Sequence, residues 1–324
     1  MSDALPKELS IRAPTMEDVE SVAELTKLCD IAEQAEPEYV AEDLRADWQL
    51  PELNLETDGW VVVAPGEQLA AYSLLFNREN VRLYADIYVH PEHRAQGIRP
   101  HLVRLAEKRA RQQVPQAPPG ARVTLYNTIS SVDETSREFL EDEGYRLVRH
   151  FWRMRIDMNE ASPAPEWQTG ITARTFIPGQ DERATFEAME EAFQDHWGHI
   201  PWRFESWQQV MIEREGFDPS LWFLSMEGNK IVGISLCYNY PNEGWVDQFG
   251  VRPAWRRKGI GLALLRHSFR EFYQRGQRKV SLGVDAQSTT GATRLYGLAG
   301  MHITRQFDSY EKVLRPGEEA IPPG

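Results

Sequence analysis

The residues best suited to chemistry lie in one short run, Arg256-Arg257-Lys258-Gly259-Ile260-Gly261. Its two glycines permit backbone conformations and close approaches that a Cβ would block. The run falls between an apolar strand pattern and an amphipathic helix pattern. Its N–H groups, with those of the first helical turn from Leu262 onward, can therefore converge on an anion, and the helix N-terminus adds a partial positive charge. Arg256, Arg257 and Lys258 supply full positive charge for phosphates. The implied chemistry is the holding of a pyrophosphate. The run is not a Walker loop, because no Gly-Lys-Ser/Thr follows at the required spacing. Nor is it a dinucleotide-binding fingerprint, whose third glycine is missing. Taken alone, it also fits a basic surface turn before a helix.

The flanking patterns define what must position this loop. Residues 171–176 read as a strand, and 181–193 carry a helical pattern with Phe186, Met189 and Phe193 on one face. Residues 221–225 and 231–238 read as two strands joined by the hairpin signal Glu227-Gly228-Asn229. A strand over 245–251 precedes the loop and an amphipathic helix over 262–272 follows it. A strand over 280–284, a short helix over 292–298 closed by Gly300, and a last strand over 303–313 complete the pattern. Strands and helices in this order indicate an α/β protein with helices on the faces of a sheet.

The same pattern occurs twice. At an offset of 162 residues Trp60 meets Trp222, Gly66 meets Gly228, Ser73 meets Ser235, Val89 meets Val251, Arg94 meets Arg256 and Gly97 meets Gly259. Near the start the offset is 160, with Ile11 meeting Ile171; near the end it is 156, with Gly144 meeting Gly300. Drifts of this size are what loop insertions produce. The expected organisation is a domain over 1–158, a Pro-rich linker over 159–170, a second domain over 171–316, and a disordered or loosely docked tail over 317–324.

The formal net charge of -13 argues against a nucleic-acid partner, which calls for a basic excess. The only two cysteines, Cys29 and Cys237, lie in apolar segments far apart, so a disulfide framework is not expected and a reducing cytoplasm fits. The opening MSDALPKELS carries no apolar signal core, and no apolar stretch approaches the roughly 20 residues that span a bilayer. No membrane association is expected, and the chain is expected to be a monomer or homodimer.

The segment VRPAWRRKGIGLALL resembles the acetyl-CoA signature of the GNAT acetyltransferase superfamily, Arg/Gln-x-x-Gly-x-Gly/Ala after a strand and opening a helix. VDAQSTTGATRLYGLAGM resembles that superfamily's second motif at Ala292, Leu295, Tyr296 and Gly300, with Ser288 where Asn is usual and Met301 where Phe is usual. The resemblance covers the whole second copy and reaches the first through the repeat. It implies two tandem GNAT-like domains, each a mixed, mostly antiparallel sheet flanked by helices. It further implies an N-acetyltransferase with acetyl-CoA as cosubstrate and no metal. Direct attack by a primary amine of a small molecule is the expected reaction. Acetylation of a protein or peptide amine, and a non-catalytic CoA-binding sensor, are the alternatives.

Amine acetylation needs a neutral amine, donors for the oxyanion and a proton for the thiolate. The resemblance gives Tyr296 the last role, as a phenol suited to protonating an alkyl thiolate. Asp247, nine residues before Arg256, is the candidate base; strand alternation would place it on one face with Phe249 and Val251. Edge pairing with an Arg is its other reading. Backbone N–H groups of Phe249, Gly250 and Val251 are expected to receive the thioester and pantetheine beside a bulge. Ser288 and Ala292 are expected to contact the cosubstrate. Asp195-His196-Trp197-Gly198-His199 fits either a wall of the acceptor pocket or a helix end with a packed Trp, and Glu205 and Trp207 share that ambiguity; no metal ligand set is apparent there. Cys237 reads as core, not as a nucleophile.

In the first copy Gly261 corresponds to Arg99, Asp247 to Ala85 and Tyr296 to Leu140. Three roles are lost together, so that copy is expected to be non-catalytic, completing the sheet and shaping the acceptor cleft. Its cations Arg94 and Arg99 leave CoA binding there open.

Overall fold

Apolar runs rich in β-branched and aromatic residues form the strands, and helices with an apolar stripe cover them. The computed structural model describes residues 5–33, 40–214 and 216–319. In chain order the elements begin β1 (Ser10–Arg12), α1 (Val19–Ala32), α2 (Ala41–Trp48), α3 (Leu55–Asp58), β2 (Gly59–Val63), β3 (Leu69–Arg78), β4 (Arg82–Val89), α4 (Ile98–Gln113), β5 (Val123–Ser130) and α5 (Glu134–Asp142). They continue β6 (Arg146–Asp157), β7 (Ile171–Thr175), α6 (Glu182–Phe193), α7 (Phe204–Met211), β8 (Trp222–Glu227), β9 (Lys230–Asn239), β10 (Gly244–Val251), α8 (Ile260–Gln274), β11 (Lys279–Asp285), α9 (Ala292–Leu298) and β12 (His302–Arg315).

Two units result, one of residues 1–149 with 307–324 and one of residues 150–306. The sheet of the first runs β1-β2-β3-β4-β5-β12, and that of the second β7-β8-β9-β10-β11-β6. Within these runs only β4–β5 and β10–β11 are parallel. Each sheet is therefore mixed and mostly antiparallel, with helices on its faces. The division differs from a boundary placed between the repeats. The closing strand of each copy serves the sheet of the other unit. Residues 151–157 of β6 pair with β11, and residues 307–315 of β12 pair with β5.

In the C-terminal unit, β9 is buried along nearly its whole length because helices cover both its faces. On one face Phe223, Cys237 and Val246 of the strands pack against Leu264, Phe269 and Phe272 of α8. On the other Trp222, Leu224, Ile234 and Leu236 pack against Met189 of α6 and Trp207 of α7. Burying each large apolar side chain contributes about 1.5–3 kcal/mol. Helix α7 has no counterpart among the expected elements, although Phe204, Trp207 and Met211 follow helical spacing.

Two peripheral segments are more fixed than their composition implies. In the linker, the carbonyl of Ser162 accepts from Arg270 at 2.9 Å and that of Asn159 from Tyr273 at 3.3 Å, both donors lying on α8. In the tail, Glu318 bridges to Ala121, its N–H donating to Gly120 at 3.0 Å and its carbonyl accepting from Arg122 at 2.7 Å. This corrects the loosely docked expectation as far as residue 319; residues 320–324 lie outside the described part.

A chain ending at Gln306 removes β5's antiparallel neighbour and Tyr310, which is 0% exposed. Hydrogen exchange should then show protection of β5 collapsing while that of β9 is kept. Undiminished β5 protection would refute the pairing.

Candidate active site

The site begins where two strands part. The parallel register of β10 with β11 covers Gly244↔Val280 and Trp245↔Ser281, whereas β11 continues beside β6 through Asp285. From Val246 to Val251, β10 keeps β9 as its paired neighbour among the described strands. The closed end of this V is pinned from three strands. Glu243, just before β10, accepts from Ser281 of β11 at 2.5 Å and pairs with the buried Arg153 of β6. The Arg153 guanidinium lies 5.0 Å from the centre of the Trp245 ring. Gly244 admits the Phe272 ring, whose nearest atom would stand 2.5 Å from a Cβ there.

A bulge marks the opening. The register of β10 on β9 shifts between Val246 and Gln248, leaving Asp247 as the extra residue. The shift explains why Val246 and Phe249, an odd number apart, both pack beneath α8 and α9. The bulge thus lies at Asp247, not over Phe249 to Val251, and it breaks the alternation that would align Asp247 with Phe249 and Val251. Asp247 is half-buried and accepts from Trp245 Nε1 and Gln248 Nε2, each at 3.2 Å.

Beyond Val251 the chain makes a short 3-10 turn at Pro253–Trp255 and enters the glycine loop. Gly259 caps α8 with φ +78°, and Arg257 adopts φ +62°, a left-handed conformation that costs a non-glycine residue about 1–2 kcal/mol. Arg257, Lys258 and Gly259 are exposed, and Ile260 is buried. At Gly261 a Cβ would stand 3.1 Å from Leu295 Cδ2, so this glycine also lets α9 approach α8. Leu262, in the first turn of α8, packs at the edge of the core. Arg256, expected to offer charge to phosphates, is committed to protein. It donates to the carbonyls of Val251 at 3.1 Å and Ala192 at 2.9 Å, and both its terminal nitrogens reach the Asp195 carboxylate. Positive charge at the loop surface falls to Arg257 and Lys258.

Tyr296 projects from α9 and meets Phe249 edge-on, ring centres 6.0 Å apart. It is 6% exposed, and burial pushes its phenol up, so it stays protonated at neutral pH and is available as a donor. Ala292 opens α9 after Gly291 at φ +81°. Ser288 lies in the preceding loop, its hydroxyl 2.8 Å from that of Thr290. Met301 is buried in the core where the second motif usually has Phe.

On the other face, beyond α6, Asp195 holds Arg256, His199 pairs with Glu190 at 3.2 Å, and Trp197 lies 6.4 Å from Phe151. Phe193 reaches the free stretch of β10, its Cε2 standing 3.4 Å from a Cβ built at Gly250. Trp207, at 1% exposure, is core, and Glu205 is exposed on α7. Cys237 is fully buried and pushed up to about 12 by that burial, with no thiolate to offer.

The N-terminal unit repeats the parting without the bulge. β4 runs parallel to β5 from Arg82↔Thr124 to Ala85↔Asn127, and its register on β3 is unbroken from Ala71 to Arg78. Ala85 pairs with Leu75, and Leu140 is buried in place of a tyrosine. Arg99 sends its guanidinium back to the Ile87 carbonyl at 3.1 Å, and Arg94 pairs with Glu33 at 3.2 Å. Both cations left open for CoA are thus engaged within the unit.

The Acetyltransferase (GNAT) family matches residues 20–145 and 183–301. The chain belongs to that family. It is 42% identical to a GCN5-related N-acetyltransferase of Sphaerobacter thermophilus, whose crystal structure superposes with a TM-score of 0.83 over 98% of this chain and 99% of that one. A mycothiol acetyltransferase of Streptomyces scabiei is 29% identical over 72% of this chain and 73% of its own length. A tandem GNAT protein from the clavulanic acid pathway shares the fold at 16% identity, with a TM-score of 0.73 over 96% of this chain and all of that one. The protein is a GNAT-type acetyltransferase built of two GNAT regions.

Glu243→Ala would remove the carboxylate that pairs with buried Arg153 and accepts from Ser281 at the closed end of the V. Stability should fall by about 3 kcal/mol, read from the denaturant midpoint. A change below about 1 kcal/mol would mean that the pin does not hold the strands.

Proposed function

We propose that the C-terminal unit is the working acetyltransferase of this chain, transferring acetyl from acetyl-CoA to a primary amine of a small molecule by direct attack. The observation that carries the reading is the opened, bulged gap between β10 and β11 with Tyr296 beside it. The corresponding gap in the N-terminal unit holds the Arg99 side chain. The name of the Streptomyces relative supports a small-molecule acceptor.

The gap suits the elongated thioester arm of the cosubstrate, and the loop ahead of α8 suits its pyrophosphate. Gly259, Ile260, Gly261 and Leu262 supply N–H groups at the positive end of a 15-residue helix, and Arg257 and Lys258 supply exposed charge. Arg256 acts by fixing the loop to the end of α6. Backbone N–H groups of Phe249 and Val251, which alternate away from β9 on a stretch without a β11 partner, are available to a thioester oxygen as negative charge develops there, while that of Gly250 faces β9. Ser288 and Ala292 border the same end of the gap. Acetyl-CoA supplies an activated acyl group. Tyr296 donates a proton to the departing sulfur, and Asp247 draws in the amine with its carboxylate.

In a thiol-release assay against a panel of amines, Tyr296→Phe should lower kcat by about 10²-fold while acetyl-CoA affinity stays within about twofold. Absence of turnover with every amine in the wild type would sink the enzyme reading for this unit. Gly261→Arg, which copies the first copy's residue, should abolish CoA binding by calorimetry. Undiminished binding would remove this loop as the cosubstrate site.

A further inference from the structure

His196 has no part in the reaction so far, yet it lies in the turn after α6, one aromatic ring away from the stretch of β10 that has parted from β11. Its N–H donates to the Phe193 carbonyl at 2.9 Å, and its ring lies 4.5 Å from the Phe193 ring, centre to centre. Phe193 in turn abuts Gly250 in the free stretch of β10. The next residue back, Asp195, is clamped by Arg256, which fixes the turn carrying His196 against the glycine loop. The imidazole is half-buried, and no hydrogen bond to either ring nitrogen is made by a described residue. Tyr296 meets the strand from the opposite face, at Phe249.

We infer that His196 accepts the proton of the attacking amine in the C-terminal unit. The inference rests on the acetyltransferase reading of that unit. The amine lone pair forms the N–C bond to the thioester carbonyl carbon, and the C–S bond breaks with its electron pair going to sulfur. The Tyr296 hydroxyl proton goes to sulfur, and the surplus proton on nitrogen goes to the His196 imidazole. Water then carries that proton from His196 and restores the Tyr296 phenol, so amine and thioester become amide and thiol. Asp247, whose oxygens already accept from Trp245 and Gln248, holds the cationic amine before it loses its proton.

The electrostatics agree. Burial holds His196 below the ordinary histidine value; Asp195 and Asp285 oppose that shift, and Arg256 and His199 add to it. The ring is therefore neutral, and able to accept a proton, at pH 7 and down to below about pH 6.5. The rate should fall as pH drops through that lower value, when the base becomes protonated.

The test is the pH profile of kcat/KM for wild type, His196→Gln and His196→Ala, using the best amine of the panel and acetyl-CoA. Expected are a loss of at least about 30-fold in kcat for both variants, disappearance of the acidic limb, and CoA affinity within about twofold by calorimetry. Added imidazole should restore part of the rate to His196→Ala, which a purely structural defect would not allow. Asp247→Asn should instead raise the amine KM while keeping the acidic limb. Wild-type turnover with an unchanged profile in His196→Gln, or loss of the limb in Asp247→Asn alone, overturns the assignment to His196 and leaves the acetyltransferase reading standing. Lack of wild-type turnover with any amine overturns both.

Discussion

The C-terminal unit depends on where β10 releases β11. A parallel pair that continued past Trp245 would satisfy its own backbone and leave no room for a substrate. The release is imposed from both ends of the strand. At the closed end, Glu243 ties Ser281 and Arg153 together, and Gly244 lets Phe272 press onto the strand. A short distance further on, Asp247 is added against β9, which turns the strand and resets which side chains face α8. The pin without the bulge would hold the strands together without redirecting Phe249, and the bulge without the pin would have no fixed point from which to open.

The two copies show how the cost of such a gap is met. Strand backbone without a neighbour needs other hydrogen-bond partners. In the N-terminal unit Arg99 supplies one from within the chain, donating to Ile87. Burial lowers that guanidinium's pKa, with Asp133 and Glu33 among the charges acting against the shift, and an arginine keeps its charge under such conditions. In the C-terminal unit a glycine stands at the corresponding position, and the same opening is left to whatever enters it. Substitution of one residue at the head of a helix thus separates a self-satisfied gap from a receptive one. The missing bulge and the leucine in place of Tyr296 agree with that division.

Much of this was legible in the sequence where the information is local. The glycine loop, the strand before it, the helix after it and the short helix bearing Tyr296 follow from periodicity and turn chemistry over a few residues, and the repeat exposed the loss of Gly261, Asp247 and Tyr296 equivalents in the first copy. What escaped depends on partners distant in the chain. The bulge at Asp247 is a register relation with β9, and sequence alternation alone misplaces it. The exchange of β6 and β12 depends on which sheet offers an open edge, a choice that no local pattern encodes. Arg256 looked like a phosphate ligand because its type and position suit one; its real partner, Asp195, lies 61 residues earlier. Helix α7 was within reach, since Phe204, Trp207 and Met211 carry its spacing, but the charged and aromatic mixture around it obscured the stripe.

The Arg256–Asp195 clamp also explains why chemistry needing two proton transfers can be organised around so slender an element as one strand. Acyl transfer to an amine must remove a proton on one side of the reacting carbon and deliver one on the other, and a single group close to both would tend to short-circuit them. In the proposed reaction the strand itself separates the two. Phe249 faces α9 and Tyr296, while Gly250, lacking a side chain, lets α6 close in from the opposite face through Ala192 and Phe193. Arg256 ties the turn after α6 to the glycine loop through the Ala192 carbonyl and Asp195. The glycine loop and the turn after α6 therefore keep their spacing because one guanidinium spans them.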